Sequence, residues 1–129
     1  MTEQGPHTGG CLCGNIRYEA VGPIDFPHVC SCEHCQRRSG APVTAWVDVP
    51  IDGFRWLGPG GEPTWYYTFS DTKRGFCAIC GSSVSAQDEG ADTMGLAMMS
   101  LDEHRHIVPQ SQSFRNDAVS WLPHVPWRP

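Results

Sequence analysis

The chain has 129 residues, 40% of them hydrophobic and 18% charged, with a formal net charge of −5. That length makes one domain with a modest core, and Lys73 as the single lysine beside eight arginines, with no basic run longer than Arg37-Arg38, argues against a nucleic-acid partner. No run of about 18 apolar residues is present, and residues 1–10 lack the charged start and apolar stretch of a secretory leader, so a cytoplasmic protein with no membrane partner is expected.

Fourteen glycines and 11 prolines predict a mainly β fold of short strands and many turns. A single domain over 1–129 is expected, with residues 1–8 as a flexible tail. Residues 15–21 alternate Ile16, Tyr18 and Ala20 against Arg17 and Glu19, the period of a half-buried strand. Residues 41–49 form a second strand, with Val43, Ala45, Val47 and Val49 on one face and Thr44, Trp46 and Asp48 on the other. The turn Gly58-Pro-Gly-Gly61 predicts a hairpin joining strands at 54–57 and 63–69, in which Trp56, Trp65, Tyr66, Tyr67 and Phe69 serve as core and strand filler. Residues 73–76 and 82–87 bracket Cys77-Ala-Ile-Cys80-Gly81 as a second hairpin. Residues 93–99 read as a buried strand, although the spacing of Met94, Met98 and Leu101 also fits a short helix. The Pro-rich residues 122–129 form an extended tail that wraps the body.

The seven cysteines occupy three clusters, Cys11-Leu-Cys13, Cys30-Ser-Cys32-Glu-His-Cys35 and Cys77-Ala-Ile-Cys80. An odd count in a reducing compartment, with CxC spacing, argues for metal over disulfides. Cys13 and Cys80 are each followed by glycine, which lets the backbone turn and aim N–H groups at sulfur. Cys11, Cys13, Cys77 and Cys80 are therefore expected to close one structural zinc site with four thiolate ligands. Cys30, Cys32 and Cys35 remain as a three-thiolate zinc site with one position open for a thiol, water or substrate. Closure of that site by His28 or His34, or a triad without resident metal, stays open. Arg37 and Arg38 follow the triad and are expected to offset its excess negative charge or to pair a substrate carboxylate.

Gly10-Cys-Leu-Cys-Gly14 leading into Ile16-Arg-Tyr18, Cys30-x-Cys32-x-x-Cys35 with Arg38-Ser-Gly40, and Phe76-Cys-x-x-Cys-Gly-Ser82 together resemble the glutathione-dependent formaldehyde-activating family, which includes centromere protein V. The resemblance spans roughly residues 9–99. It implies a small zinc-stapled β-tent of several short antiparallel sheets, related in shape to methionine sulfoxide reductase B. It also implies a structural zinc on Cys11, Cys13, Cys77 and Cys80, and a catalytic zinc on Cys30, Cys32 and Cys35. The implied activity is of carbon-sulfur lyase type, forming or breaking an adduct between a thiol, glutathione, and a formaldehyde-like aldehyde, with Arg37 or Arg38 on a glutathione carboxylate and Ser31 or Ser39 donating to the developing oxyanion. The chain departs from many relatives at two places, carrying Ser31 where they have histidine and Gln112-Ser-Phe114 where they have an aromatic-flanked histidine. The rival reading is a non-catalytic zinc-scaffolded binding module.

Overall fold

The computed structural model describes residues 3–126; residues 1 and 2 of the expected N-terminal tail and 127–129 of the C-terminal tail lie outside the described residues. Among the described residues, ten strands form two sheets. The smaller sheet has the order β1 (His7–Gly10), β2 (Arg17–Ala20), β5 (Phe54–Trp56), all antiparallel. The larger has β10 (Ser111–Ser113), β3 (Asp25–Cys30), β4 (Thr44–Pro50), β9 (Thr93–Ala97), β8 (Ser83–Asp88), β7 (Thr72–Phe76) and β6 (Thr64–Phe69) in that spatial order. All its neighbours are antiparallel except β10 and β3, which run parallel.

Period-two alternation explains how one sheet serves two purposes. Val47 and Val49 of β4, Met94 and Leu96 of β9 and Val84 of β8 point to the core, where they meet Ile16, Tyr18 and Ala20 of the smaller sheet region. The intervening residues Trp46 and Asp48 of β4 and Thr93 and Gly95 of β9 emerge on the opposite face, which curves into a cleft; in β8 a bulge between Ser83 and Ser85 breaks the alternation, so Ala86 and Asp88 join that face although they share the parity of Val84. Met98 follows β9 in a single 3-10 turn (Met98–Ser100) and packs back into the core, so the strand and helical spacings read in this stretch each describe part of it.

Several sequence expectations change in the folded chain. The N-terminal tail is shorter than eight residues, because His7 and Thr8 pair with Ala20 and Glu19. The aromatic hairpin around Gly58-Pro-Gly-Gly61 does not form: β5 pairs with β2 in one sheet, and β6 pairs with β7 in the other. The glycine-rich loop instead carries the chain between sheets, lying so close to residues 15–17 that a Cβ on Gly58 would come within 2.6 Å of the Asn15 carbonyl oxygen. Gly60 N–H donates to that same carbonyl. Trp56 and Trp65 pack on the core as expected, but Tyr66, Tyr67 and Phe69 lie largely exposed on the edge strand β6. The Pro-rich tail docks through Val125, whose N–H donates to Gln112 Oε1 at 2.8 Å and whose carbonyl accepts from Arg115.

Asp102 ties the smaller sheet to the segment after β9. Its carboxylate accepts from Arg17 Nη1 at 3.1 Å, from Arg17 Nη2 at 2.6 Å and from Thr8 Oγ1 at 2.6 Å. The Arg17 hydrogen bonds, aided by Thr8 and opposed by partial burial, hold this carboxyl below its ordinary range. A depressed carboxyl stabilises the fold above its unfolded pKa of about 3.9 and loses that contribution as pH falls through the lower folded value. Both side chains are more than a third exposed, so solvent screening limits the pair to about 1 kcal/mol. Asp102→Asn is expected to lower the melting temperature by several degrees at pH 7, and parallel thermal melts at stepped pH should show the gap to the native protein closing through the acid carboxylate range.

Candidate metal centres and the adjoining cleft

The backbone builds the first thiol cluster from two turns that mirror each other. Cys11 and Cys13 sit in the turn before β2, and Cys77 and Cys80 in the turn between β7 and β8. Gly14 and Gly81 adopt φ of +84° and +81°, the left-handed region that glycine enters without strain, and a Cβ on either would meet nothing. Their conformation, not space, selects glycine. Cys11 Sγ accepts from Ile16 N–H at 3.2 Å, and Cys77 Sγ accepts from the N–H groups of Ile79 and Cys80, both at 3.4 Å.

Cys11 Sγ lies 3.6 Å from Cys13 Sγ, which lies 3.7 Å from Cys77 Sγ, and all four sulfurs fall within 4.8 Å of one another. A tetrahedron with metal–sulfur arms of about 2.3 Å has edges of about 3.8 Å, so the four sulfurs stand where one ion needs them. The Ser82 hydroxyl, followed by the backbone amides of Ser82 and Cys13, pulls the Cys80 thiol down to about 5 and so favours the ligating thiolate. Leu12 N–H in turn donates to Ser82 Oγ at 3.1 Å, joining the two turns.

The second cluster rests on a helix that sequence patterning missed. Cys30 ends β3, Ser31 follows, and Cys32 caps α1 (Glu33–Ser39) by accepting Cys35 N–H on its sulfur at 3.3 Å. Seven residues offer too little periodicity for detection, although Gly40 at the C-terminus and Arg37 and Arg38 in the last turn were available signals. The three sulfurs lie within 4.8 Å of one another, and no histidine joins them among the described residues. His34 packs against Phe69 in a tilted arrangement, ring centres 4.5 Å apart and planes at 41°. His28 Nδ1–H donates to the Phe26 carbonyl at 2.7 Å while its ring stacks on Phe26. A hydrogen bond from the Cys30 thiol, against the cost of burial and with help from Thr44 and Arg74, draws Cys35 down to about 4. Cys30, sharing its proton with Cys35 and buried, is pushed up.

The two arginines following the triad part company. Arg37 pairs with Glu33 at 2.9 Å on the solvent side of α1, with 80% of its side chain exposed, and does not line the cleft. Arg38 is half-buried near Arg74 and Cys35, and donates to Ser83 Oγ at 3.3 Å. The cation at the triad that the sequence did not single out is Arg74 of β7, 39 residues from Cys35, whose Nη1 donates to Cys35 Sγ at 3.4 Å. Arg74 is 9% exposed, its guanidinium carbon stands 5.5 Å from the centre of the Trp46 ring, and its Nε has no hydrogen-bond partner. Neither serine is among the residues lining the cleft: Ser31 is fully buried and accepts from Gln112 Nε2 at 2.7 Å, and Ser39 Oγ donates to the Cys35 carbonyl at 2.7 Å. The two departures from the family pattern, at Ser31 and Gln112, thus touch each other.

Cys30 and Cys35 open onto the cleft of about 250 Å³ formed by the outer face of the larger sheet. Arg74, Ala86, Gly95 and Asp48 stand opposite one another across β7, β8, β9 and β4, so small residues form its floor between a cation and a carboxylate. A Cβ on Gly95 would approach the Ala86 carbonyl oxygen to 2.9 Å, which leaves no room for a side chain there. Trp46 forms a wall, with its Nε1–H bound to Thr44 Oγ1 at 2.7 Å. At the mouth, the bulge between Asp25 and His28 places Phe26 at φ +50°, presenting Phe26 and His28 to the cleft.

The chain is a small, mainly β domain with one four-thiol and one three-thiol group, each able to hold a metal ion. Comparison with protein families gives the finer assignment. The model for the glutathione-dependent formaldehyde-activating enzyme matches residues 6–117, and the chain belongs to that family. The fold is also similar to a crystal structure of a Rhodobacter sphaeroides protein at a TM-score of 0.60 and 24% identity, covering 94% of this chain and 99% of that one. No helix among the described residues is long and apolar enough to cross a membrane.

Proposed function

We propose that the chain is a zinc-dependent enzyme of carbon-sulfur lyase type, joining a thiol, glutathione, to a formaldehyde-like aldehyde or releasing the aldehyde from the adduct. The observation that carries this reading is the three-sulfur cluster of Cys30, Cys32 and Cys35 opening onto a cleft, in contrast to the four-sulfur cluster closed on itself. Three soft thiolates suit zinc, and three protein ligands leave one tetrahedral corner for a ligand. Zinc bound there supplies the acidity that converts an incoming thiol to its thiolate at neutral pH.

The chain's own residues do the rest. A fourth thiolate adds negative charge, which Arg74, hydrogen-bonded to Cys35, and the neighbouring Arg38 offset. Trp46 walls the site and limits water, which strengthens those interactions. In the forward direction the thiolate sulfur forms a bond to the aldehyde carbon, and the oxygen takes up the proton the thiol released; the reverse reaction breaks the same bond. Arg74 is better placed than Arg37 for a substrate anion, because Arg37 lies in solvent on the far side of the helix.

The test separates pocket from metal. Ala86 faces the cleft and packs against Cys30, Cys35 and Trp46 without being a ligand. Ala86→Leu is expected to leave two zinc ions per chain, to weaken glutathione binding at least tenfold, and to remove the acceleration of formaldehyde–glutathione adduct exchange over the spontaneous rate, read by NMR exchange spectroscopy. Native protein that holds two zinc ions yet leaves the exchange rate at the spontaneous value would refute the enzymatic reading.

A further inference from the structure

A single residue, Ser31, separates Cys30 from Cys32, and three hydrogen bonds converge on it. Its N–H donates to the Ser113 carbonyl at 3.0 Å, its carbonyl accepts from Gln36 Nε2 at 2.7 Å, and its hydroxyl oxygen accepts from Gln112 Nε2 at 2.7 Å. Gln36, which follows Cys35, also donates to the Asp117 carbonyl at 3.0 Å. Phe114, at φ +59°, turns the chain from β10 into the 3-10 turn Arg115–Asp117 and so brings that carbonyl within reach. The three-thiol cluster is thus held from the C-terminal part of the chain at both of its ends. Ser31 is fully buried and Gln112 is 8% exposed, so their hydrogen bond is shielded from water. The tail fixes which way the Gln112 amide points. A backbone N–H can only donate, so the Gln112 atom facing Val125 N–H at 2.8 Å is the carbonyl oxygen, and the NH2 group faces Ser31. Arg115 takes the Val125 carbonyl, closing the tail onto the same segment.

From this convergence we infer that Gln112 is a positioning residue for the three-thiol centre, through which docking of the C-terminal tail and occupancy of that centre by a metal ion strengthen each other. The inference rests on the reading of Cys30, Cys32 and Cys35 as a metal site. Cys30 and Cys32 flank Ser31, so rotation of either Ser31 peptide carries one sulfur away from the other, whereas an ion with arms of about 2.3 Å needs them about 3.8 Å apart. Four protein ligands enclose an ion by themselves. Three must keep the fourth corner open through the stiffness of the chain that bears them. With the tail docked, the Gln112 amide is held at both ends and pins Ser31; with the tail released, it loses the partner that aims its NH2 group. Coupling of this kind is reciprocal: the factor by which a docked tail tightens the ion is the factor by which the bound ion tightens the tail.

The experiment uses the full-length protein loaded with zinc and a chromogenic chelator that competes for the ion Cys35→Ser lacks, with a parallel cobalt-substituted sample read by its ligand-field bands. Gln112→Met keeps the length of the side chain but neither hydrogen bond, and is expected to weaken that ion about tenfold and to move the cobalt bands. Val125→Pro removes the N–H that the Gln112 carbonyl accepts, and should act in the same direction by a smaller factor. Ser31→Ala combined with Gln112→Met leaves neither partner orphaned, so its melting temperature should return toward native while the ion stays weakly held. A merely structural pair would recover both, and that result overturns the inference. In native protein the Val125 amide should exchange its hydrogen more slowly with two ions bound than with one, by the factor that Val125→Pro costs in metal affinity. This comparison decides the matter should Gln112→Met fail to fold, since equal exchange in the two states overturns the coupling. Native metal affinity in a folded Gln112→Met protein overturns it too and leaves the metal site standing. A native chain that takes up a single ion overturns the metal reading of the triad and the inference with it.

Discussion

Cys77→Ser is expected to abolish the cooperative fold at 25 °C. Cys77 is fully buried, its sulfur receives two backbone N–H groups, and it forms one corner of the cluster that clamps the turn before β2 to the tip of the β7–β8 hairpin. Cys11 and Cys77 also belong to the hydrophobic core, so the clamp and the core are one structure. Metal at a closed four-thiolate site contributes on the order of 10 kcal/mol to folding, comparable with the whole stability of about 5–15 kcal/mol of a domain this size. Serine is a poor zinc ligand at neutral pH and leaves a hydroxyl in the core. Circular dichroism and the dispersion of amide NMR signals should both report an unfolded chain, and a strong chelator acting on native protein should give the same result. A Cys77→Ser protein that melts cooperatively within a few degrees of native would refute the structural role.

Cys35→Ser should behave in the opposite way. Its sulfur lies on the outer side of the larger sheet, in a small cluster with Cys30 and Trp46 apart from the main core. Losing it leaves Arg74 without its thiolate partner, at a cost of about 1–3 kcal/mol, which a folded domain survives. The expected protein is folded, holds one zinc per chain in place of two, and shows glutathione affinity reduced by more than a hundredfold. Zinc content by atomic emission, together with calorimetry, checks both halves of the statement. Retention of glutathione binding at native affinity by a folded Cys35→Ser protein would place the ligand elsewhere. The contrast between the two serine variants is sharper than either alone, since both remove one thiol and differ only in which cluster loses it.

Much of the thiol chemistry was legible in the chain. Chelate spacing is a local property: two cysteines one or two residues apart, followed by a glycine that can take positive φ, bring two sulfurs to one ion wherever the turn sits. Alternation was equally informative, because residues 41–49 displayed both faces of β4, including the Thr44, Trp46 and Asp48 face that turned out to border the cleft. The Gly58–Gly61 turn misled because a glycine-rich turn is compatible either with a hairpin or with a crossing between sheets, and only close packing against Asn15 selects the second.

The sequence by itself determined the mainly β character, the division of the cysteines into four and three, and the turns that present them. The tertiary structure alone decided what faces the open cluster. Arg74 reaches Cys35 because β7, β8, β9 and β4 lie side by side in that order, and the same register sets Asp48 across the cleft floor from it. It also decided that Arg37, next to the triad in sequence, turns to solvent with Glu33, because a helix carries successive residues around its axis. Ligand spacing is written in neighbouring residues, whereas the surroundings of a site depend on strand register, which joins residues tens of positions apart through the burial of one common face.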